Sequence, residues 1–259
     1  MTKTAPKPTS VADFARRCLF APTAAAEAAR APGSLAAAAW MYGAFLAATA
    51  LFYAWKPFDF PDRNAAFPRE LQGLGFWLKV MLWQPPLELV WIAFLMALVE
   101  WFRTGKMFIR LLGAVVATAV PFILVVLYRQ SGLNWGAYLA LTFAWLGALG
   151  WQASRAPKQE WLPVTSLMLA LNVIGLLLLV PMVLSVKLDA DQVFKGAQIA
   201  GGLWVLGAGT LALRALTGLR LPRCFMSVLL SMFMQIAFAF TLHMLGLVPK
   251  DILKALLYA

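Results

Sequence analysis

With 259 residues, 62% of them hydrophobic and 13% charged, and a mean hydropathy of +0.77, the chain lies outside the range of water-soluble globules. Too little polar sequence remains for a separate soluble catalytic domain, so any chemistry sits in or beside a membrane. The formal charge of +11 is carried by short loops and an amino-terminal leader, where Lys and Arg neighbour anionic headgroups and set topology, so no nucleic-acid partner is expected.

Residues 1–34 read as a cytoplasmic tail and an interfacial helix. The stretch MTKTAPKPT has the composition of a disordered tail. Ser10 followed by Asp13 is an N-cap signal, and Val11, Phe14, Cys18 and Leu19 then share a stripe opposite Arg16 and Arg17. That pattern predicts a short helix on the membrane surface, with Pro22 inside it or ending it. The leader has no convincing cleavage site, so the first span is expected to be retained.

Residues 35–247 form the transmembrane domain, with about seven spans. The first covers residues 35–55, with Trp40, Tyr42, Tyr53 and Trp55 as end anchors. The loop after it carries Pro57, Pro61 and Pro68 together with Asp59, Asp62 and Glu70, and reads as an ordinary solvated connection. Span two, residues 76–101, holds WQPPLE, where Pro85 and Pro86 remove backbone donors and are expected to bend the helix or make it re-entrant. Span three, 111–128, contains Pro121; span four covers 135–152; span five, 161–186, carries Pro163, Asn172 and Pro181. Span six, 196–213, has small residues suited to helix packing, and span seven, 224–247, contains Gln235 and His243. Residues 248–259 are too few to cross a bilayer and read as a second interfacial segment, with Ile252, Leu253, Leu256 and Leu257 toward lipid. The fold class is therefore an all-α polytopic bundle with short amphipathic helices at both ends.

Charge orients it. Thirteen of the 22 Lys and Arg fall in the leader and the even-numbered connections, and the other side is diluted by six acidic residues. The positive-inside rule then puts the amino end in the cytoplasm and, with seven spans, the carboxyl end outside.

Glu88 is the first candidate for chemistry, because a carboxylate two residues past a proline pair in an apolar helix is expensive without water, a cation or a hydrogen-bonding partner. Its other reading is a tie across a broken helix or a position near the headgroups. Gln84 lies one turn earlier on the same face, and Asn172 and Gln235 can cross-link spans through their amides. Glu100, beside Trp101 and Arg103, reads as an interface residue. His243 has no second histidine for a metal site, and Cys18 and Cys224 give neither a disulfide framework nor metal-ligand spacing. No catalytic signature is present, so no catalytic residues, cofactor or metal are assigned.

The segment FARRCLFAPTAAAEAARAPGSLAAAAW, with its spaced prolines before the first span, and WFRTGKMFIRLLGAVVATAVPFIL, with a short basic glycine turn and a proline in the next helix, carry a resemblance to the bacterial Yip1-domain membrane proteins over about residues 12–190. Proteins of that family typically have five spans and a cytoplasmic amino segment, so the chain departs from the pattern by two further spans. The resemblance implies a membrane organiser in a bacterial inner membrane, with membrane lipids and either a membrane-protein partner or further copies of itself as associates. A small transporter or channel using Gln84, Glu88, Asn172 and Gln235 is the alternative.

Overall fold

Local signals set the helix ends. In a computed structural model, which describes residues 10–57, 60–61 and 73–258, every regular element is an α-helix. The tail 1–9, Asp59, Asp62, Pro68 and Glu70 lie outside the described residues. Ser10 caps α1 (Val11–Phe20), its hydroxyl accepting from the Asp13 amide, and Asp13 pairs with Arg16 and Arg17. Pro22 ends that helix by opening α2 (Pro22–Ala29), at a position where the missing N–H would have had no partner. Helix α3 spans Ser34–Trp55.

Helix α4 (Leu74–Arg103) runs 30 residues with no gap at Pro85 and Pro86. The proline pair therefore neither ends the helix nor makes it re-entrant. The interruption falls instead at Asn172, between α7 (Lys158–Leu171) and α8 (Val173–Lys187), where the side-chain amide donates to the Met168 and Leu169 carbonyls at 3.3 Å and competes with the helix ladder. Helices α5 (Met107–Gln130), α6 (Trp135–Ser154), α9 (Asp191–Thr217), α10 (Leu221–Met244) and α11 (Lys250–Tyr258) complete the described set.

Among the described residues, six segments are long and apolar enough to cross a bilayer: α3, α4, α5, the continuous stretch Lys158–Lys187, α9 and α10. Helix α6 has 20 residues and no charge, but its three tryptophans, three glycines and Gln152 leave it short of the same hydropathy. The chain is an all-α polytopic membrane protein. Exposed Leu82, Phe108, Phe143, Leu184 and Ile199 on its helices are where lipid, not water, is the natural solvent.

The chain divides into two compact units. Unit 1 comprises the described residues up to Pro85 together with Leu162–Gly218; unit 2 comprises Pro86–Trp161 and Leu219–Tyr258. All three crossings fall at or beside a proline or glycine. One lies between Pro85 and Pro86, one just before Pro163, and one just after Gly218, whose φ of +69° ends α9 in the left-handed conformation.

In unit 1, α8 packs on α9 and α3, and α2 packs on α9. Helix α1 meets α2, α3 and α8, so its apolar stripe faces protein: Phe14 and Cys18 are fully buried while Val11 and Phe20 stay exposed. Ala25, Ala26, Ala28 and Ala29 are all buried, which makes α2 a helix seated by alanines. Arg30 then donates to the Leu216 carbonyl at 2.7 Å, satisfying an acceptor near the C-terminal end of α9. In unit 2, α5 packs on α10 and α6, and Phe94, Leu98 and Phe102 of α4 share a core with Trp145, Leu149, Leu230 and Met234. Helix α11 folds back on α10 with Leu253 and Ala255 buried, so Leu253 turns into the protein and Leu257 outward.

Candidate polar site in unit 2

Glu88 is 7% exposed, the one buried carboxylate among the described residues. Its surroundings follow from how α4 meets α10. Arg223, in the first turn of α10, donates to the Phe102 carbonyl at 2.5 Å, to Arg103 at 3.3 Å and to Gly105 at 2.8 Å. These are acceptors that the end of α4 leaves without intrahelical partners. Farther along, the Trp91 indole donates to the Ser231 hydroxyl at 2.9 Å, and Ser231 in turn donates to the Val228 carbonyl. Residue 102 sits opposite 223 and residue 91 opposite 231, so the helices are antiparallel. Continuing that register brings Gln235 to the level of Glu88.

An ionised carboxylate taken out of water costs several kcal/mol unless a partner offsets it. Glu88 is engaged rather than free, and Gln235 is half-buried. Elsewhere in unit 2 Tyr138, Thr142 and Thr241 are buried, with Thr241 donating to the Ala237 carbonyl at 2.9 Å. Unit 2 therefore carries polar groups along the inner faces of helices whose outer faces are apolar.

The second feature of this unit answers Pro121. A proline in a helix removes the donor that would bond the carbonyl four residues earlier, here that of Ala117. The Trp145 indole of α6 takes that carbonyl at 2.8 Å. A backbone defect in α5 thus becomes a docking point for α6.

Sequence reasoning named four polar residues, and the structure divides them. Glu88 and Gln235 share a level of unit 2, whereas Gln84 and Asn172 belong to unit 1. Gln84 is half-buried one turn before Glu88 on the same continuous helix. Asn172 is occupied with the α7 carbonyls. Glu100, read as an interface residue, pairs with Arg103 at 2.8 Å, and Arg103 also reaches Glu160 at 2.7 Å, a partner 57 residues away that no local pattern announces. His243 Nδ1 lies 2.8 Å from the Val248 carbonyl across the turn at Gly246. Among the described residues no three His, Cys, Asp or Glu side chains are placed to hold a metal ion.

Trp91, Ser231, Trp145 and Arg223 were missed. Only Arg223, beside Pro222 at the start of α10, stands at a helix end; Trp91, Trp145 and Ser231 lie within their helices. No protein-family model, no curated protein and no solved structure matches the chain, so the geometry alone establishes what it is: a multi-pass helical membrane protein.

Proposed function

We propose that the protein organises or assists another membrane component without catalysing a reaction of its own, in the manner of the bacterial Yip1-domain proteins it resembles. The observation that carries this reading is the outer face of α6. Tyr138, Thr142, Trp145, Leu149 and Ala153 form its buried stripe, and Gly136, Ala140, Ala144 and Ala148 stand exposed at four-residue spacing on the opposite side. The helix is uncharged and long enough to span, and this row of small residues lies on its outer face. Small side chains let another helix approach its backbone closely.

A photo-crosslinking residue at position 144, activated in native membranes, should trap one membrane protein or a second copy of the chain. Ala144→Phe should abolish co-isolation while leaving the thermal midpoint within a few degrees. Crosslinking only to lipid at 140, 144 and 148 would remove the support for this role.

The same helix bears on topology. We place the protein in a bacterial inner membrane with the amino end in the cytoplasm; seven crossings, α6 included, put the carboxyl end outside. Single cysteines at Ser10 and Lys250, labelled from each side in a background lacking Cys18 and Cys224, decide it. Labelling of both from the same side leaves an even number of crossings.

A second reading, a small transporter or channel, rests on Glu88, a buried carboxylate within a continuous span. Glu88→Gln in sealed vesicles should lower solute-coupled or proton flux at least tenfold. Unchanged flux removes this reading and leaves the first intact.

A further inference from the structure

One end of unit 2 gathers the α4–α5 turn, the α6–α7 turn and the start of α10. Two arginines tie these segments together: Arg103 to Glu100 and Glu160, and Arg223 to the carbonyls of Phe102, Arg103 and Gly105. These bonds use both carboxylates of the three segments. Lys106, Arg110, Arg155, Lys158 and Arg220 stand on the same segments and form no ion pair with a carboxylate among the described residues. Two of them are already oriented. The Arg110 guanidinium lies 4.5 Å from the centre of the Trp101 ring, and that of Arg155 lies 3.6 Å from Trp151. Trp101 is itself fixed by donating to the Arg110 carbonyl at 2.8 Å.

The apolar side chains next to these cations identify the anion. Phe108, Ile109 and Leu112 are exposed just after Lys106, Trp151 is exposed one turn before Arg155, and Leu221 is exposed directly after Arg220. Each cationic segment passes within about one helical turn into surface suited to hydrocarbon, and indoles favour that boundary. Because Phe108 and Ile109 face the bilayer, the phosphate that borders these cations is that of a lipid headgroup. A phospholipid covers them with its chains while its phosphate meets the cations.

We propose that this end of unit 2 is a binding site for the headgroup of an anionic phospholipid. Arg110 and Arg155 are held on their indoles for phosphate contact, and Lys106, Lys158 and Arg220 supply the surrounding charge. The site is independent of the organiser and transporter readings.

The full chain, purified in a non-ionic detergent, is titrated with phosphatidylglycerol, phosphatidylcholine or inorganic phosphate while its thermal midpoint is followed. Phosphatidylglycerol alone should raise the midpoint by several degrees, and the combined variant Lys106→Glu, Lys158→Glu, Arg220→Glu should lose at least half of that rise. These three side chains make none of the ties described above, and the neutral pair Lys106→Gln, Lys158→Gln gives the same comparison should charge reversal unfold the chain. An equal rise with phosphatidylcholine, or an undiminished rise in the charge variants, overturns the proposal. A rise with inorganic phosphate matching that of phosphatidylglycerol replaces the lipid with a soluble anion and overturns it as well.

Discussion

Unit 1 and unit 2 solve the same problem, joining apolar helices where hydrophobic burial no longer drives association, with a different balance of means: unit 1 also has a long tie, Arg30 to Leu216, and unit 2 a close glycine approach, Gly113 to Trp101. Unit 1 uses close approach. A Cβ on Gly175 would lie 2.5 Å from Phe45 Cε2, and one on Gly201 would lie 2.4 Å from Leu178 Cδ1, so α8 reaches α3 and α9 through positions with no side chain. Buried alanines do the same for α2. Unit 2 uses hydrogen bonds from long side chains: Trp91 to Ser231, Trp145 to Ala117, and Arg223 to the end of α4. Steric fit is intolerant of added volume, whereas hydrogen-bonded joints are intolerant of lost donors. The two halves should therefore respond to different substitutions.

The largest effect is expected from Arg223→Ala, which strands three carbonyls at one helix end and should cost about 3 kcal/mol, taking a charge-assisted hydrogen bond at roughly 1.5–3 kcal/mol and allowing water to recover part of the rest. Unfolding monitored by helicity during titration with a denaturing detergent measures it. A loss below about 1 kcal/mol would mean that water satisfies the turn unaided.

Next comes Trp145→Phe. The Ala117 carbonyl then has no donor, because Pro121 cannot supply one, and an orphaned buried acceptor costs about 2 kcal/mol. Combining it with Pro121→Ala restores an N–H, so the double variant should lose much less than the two single costs added together. Strict additivity would show that the indole contributes packing alone.

In unit 1, Gly175→Val should cost about 2 kcal/mol by overpacking against a ring already stacked on Tyr42. Gly202→Ala, where nothing lies within 4 Å of the added atom, is the control and should be close to neutral. Equal effects at the two positions would show that close approach at Gly175 does not hold unit 1 together.

The Trp91–Ser231 pair is smaller. A double-mutant cycle with Trp91→Phe and Ser231→Ala should return a coupling of about 0.6 kcal/mol, the scale of side-chain hydrogen bonds within membranes.

The smallest effect concerns Cys18. Burial pushes its thiol from 9.0 up to about 12. Since the folded form ionises later than the unfolded one, its contribution is whole below about pH 9 and is lost as pH rises toward 12. Maleimide at pH 8 should leave Cys18 unlabelled until the chain unfolds, and rapid labelling of the native protein would show that α1 lifts off unit 1.

Much of this architecture was legible in the chain. Apolar length marked the spans, and Ser10 and Pro22 marked the start and end of α1. Of the bend or re-entrant segment that the proline pair suggests, the unbroken run of α4 through Pro85 and Pro86 excludes the re-entrant one. That the Asn172 amide bonds the Met168 and Leu169 carbonyls was not legible in the chain. The apolar stripe of α1 was legible, but not that protein would cover Phe14 and Cys18.

Composition and periodicity alone determined that the chain is helical and that lipid is the solvent for its outer faces, since both follow from the properties of residues near one another in sequence. Only the tertiary structure decided that Glu160 would meet Arg103, that Trp145 would repair the gap left by Pro121, and that Gln235 would share a level with Glu88. Those partners are 24 to 147 positions apart, and a contact between distant residues depends on helix register and tilt, which no local pattern encodes.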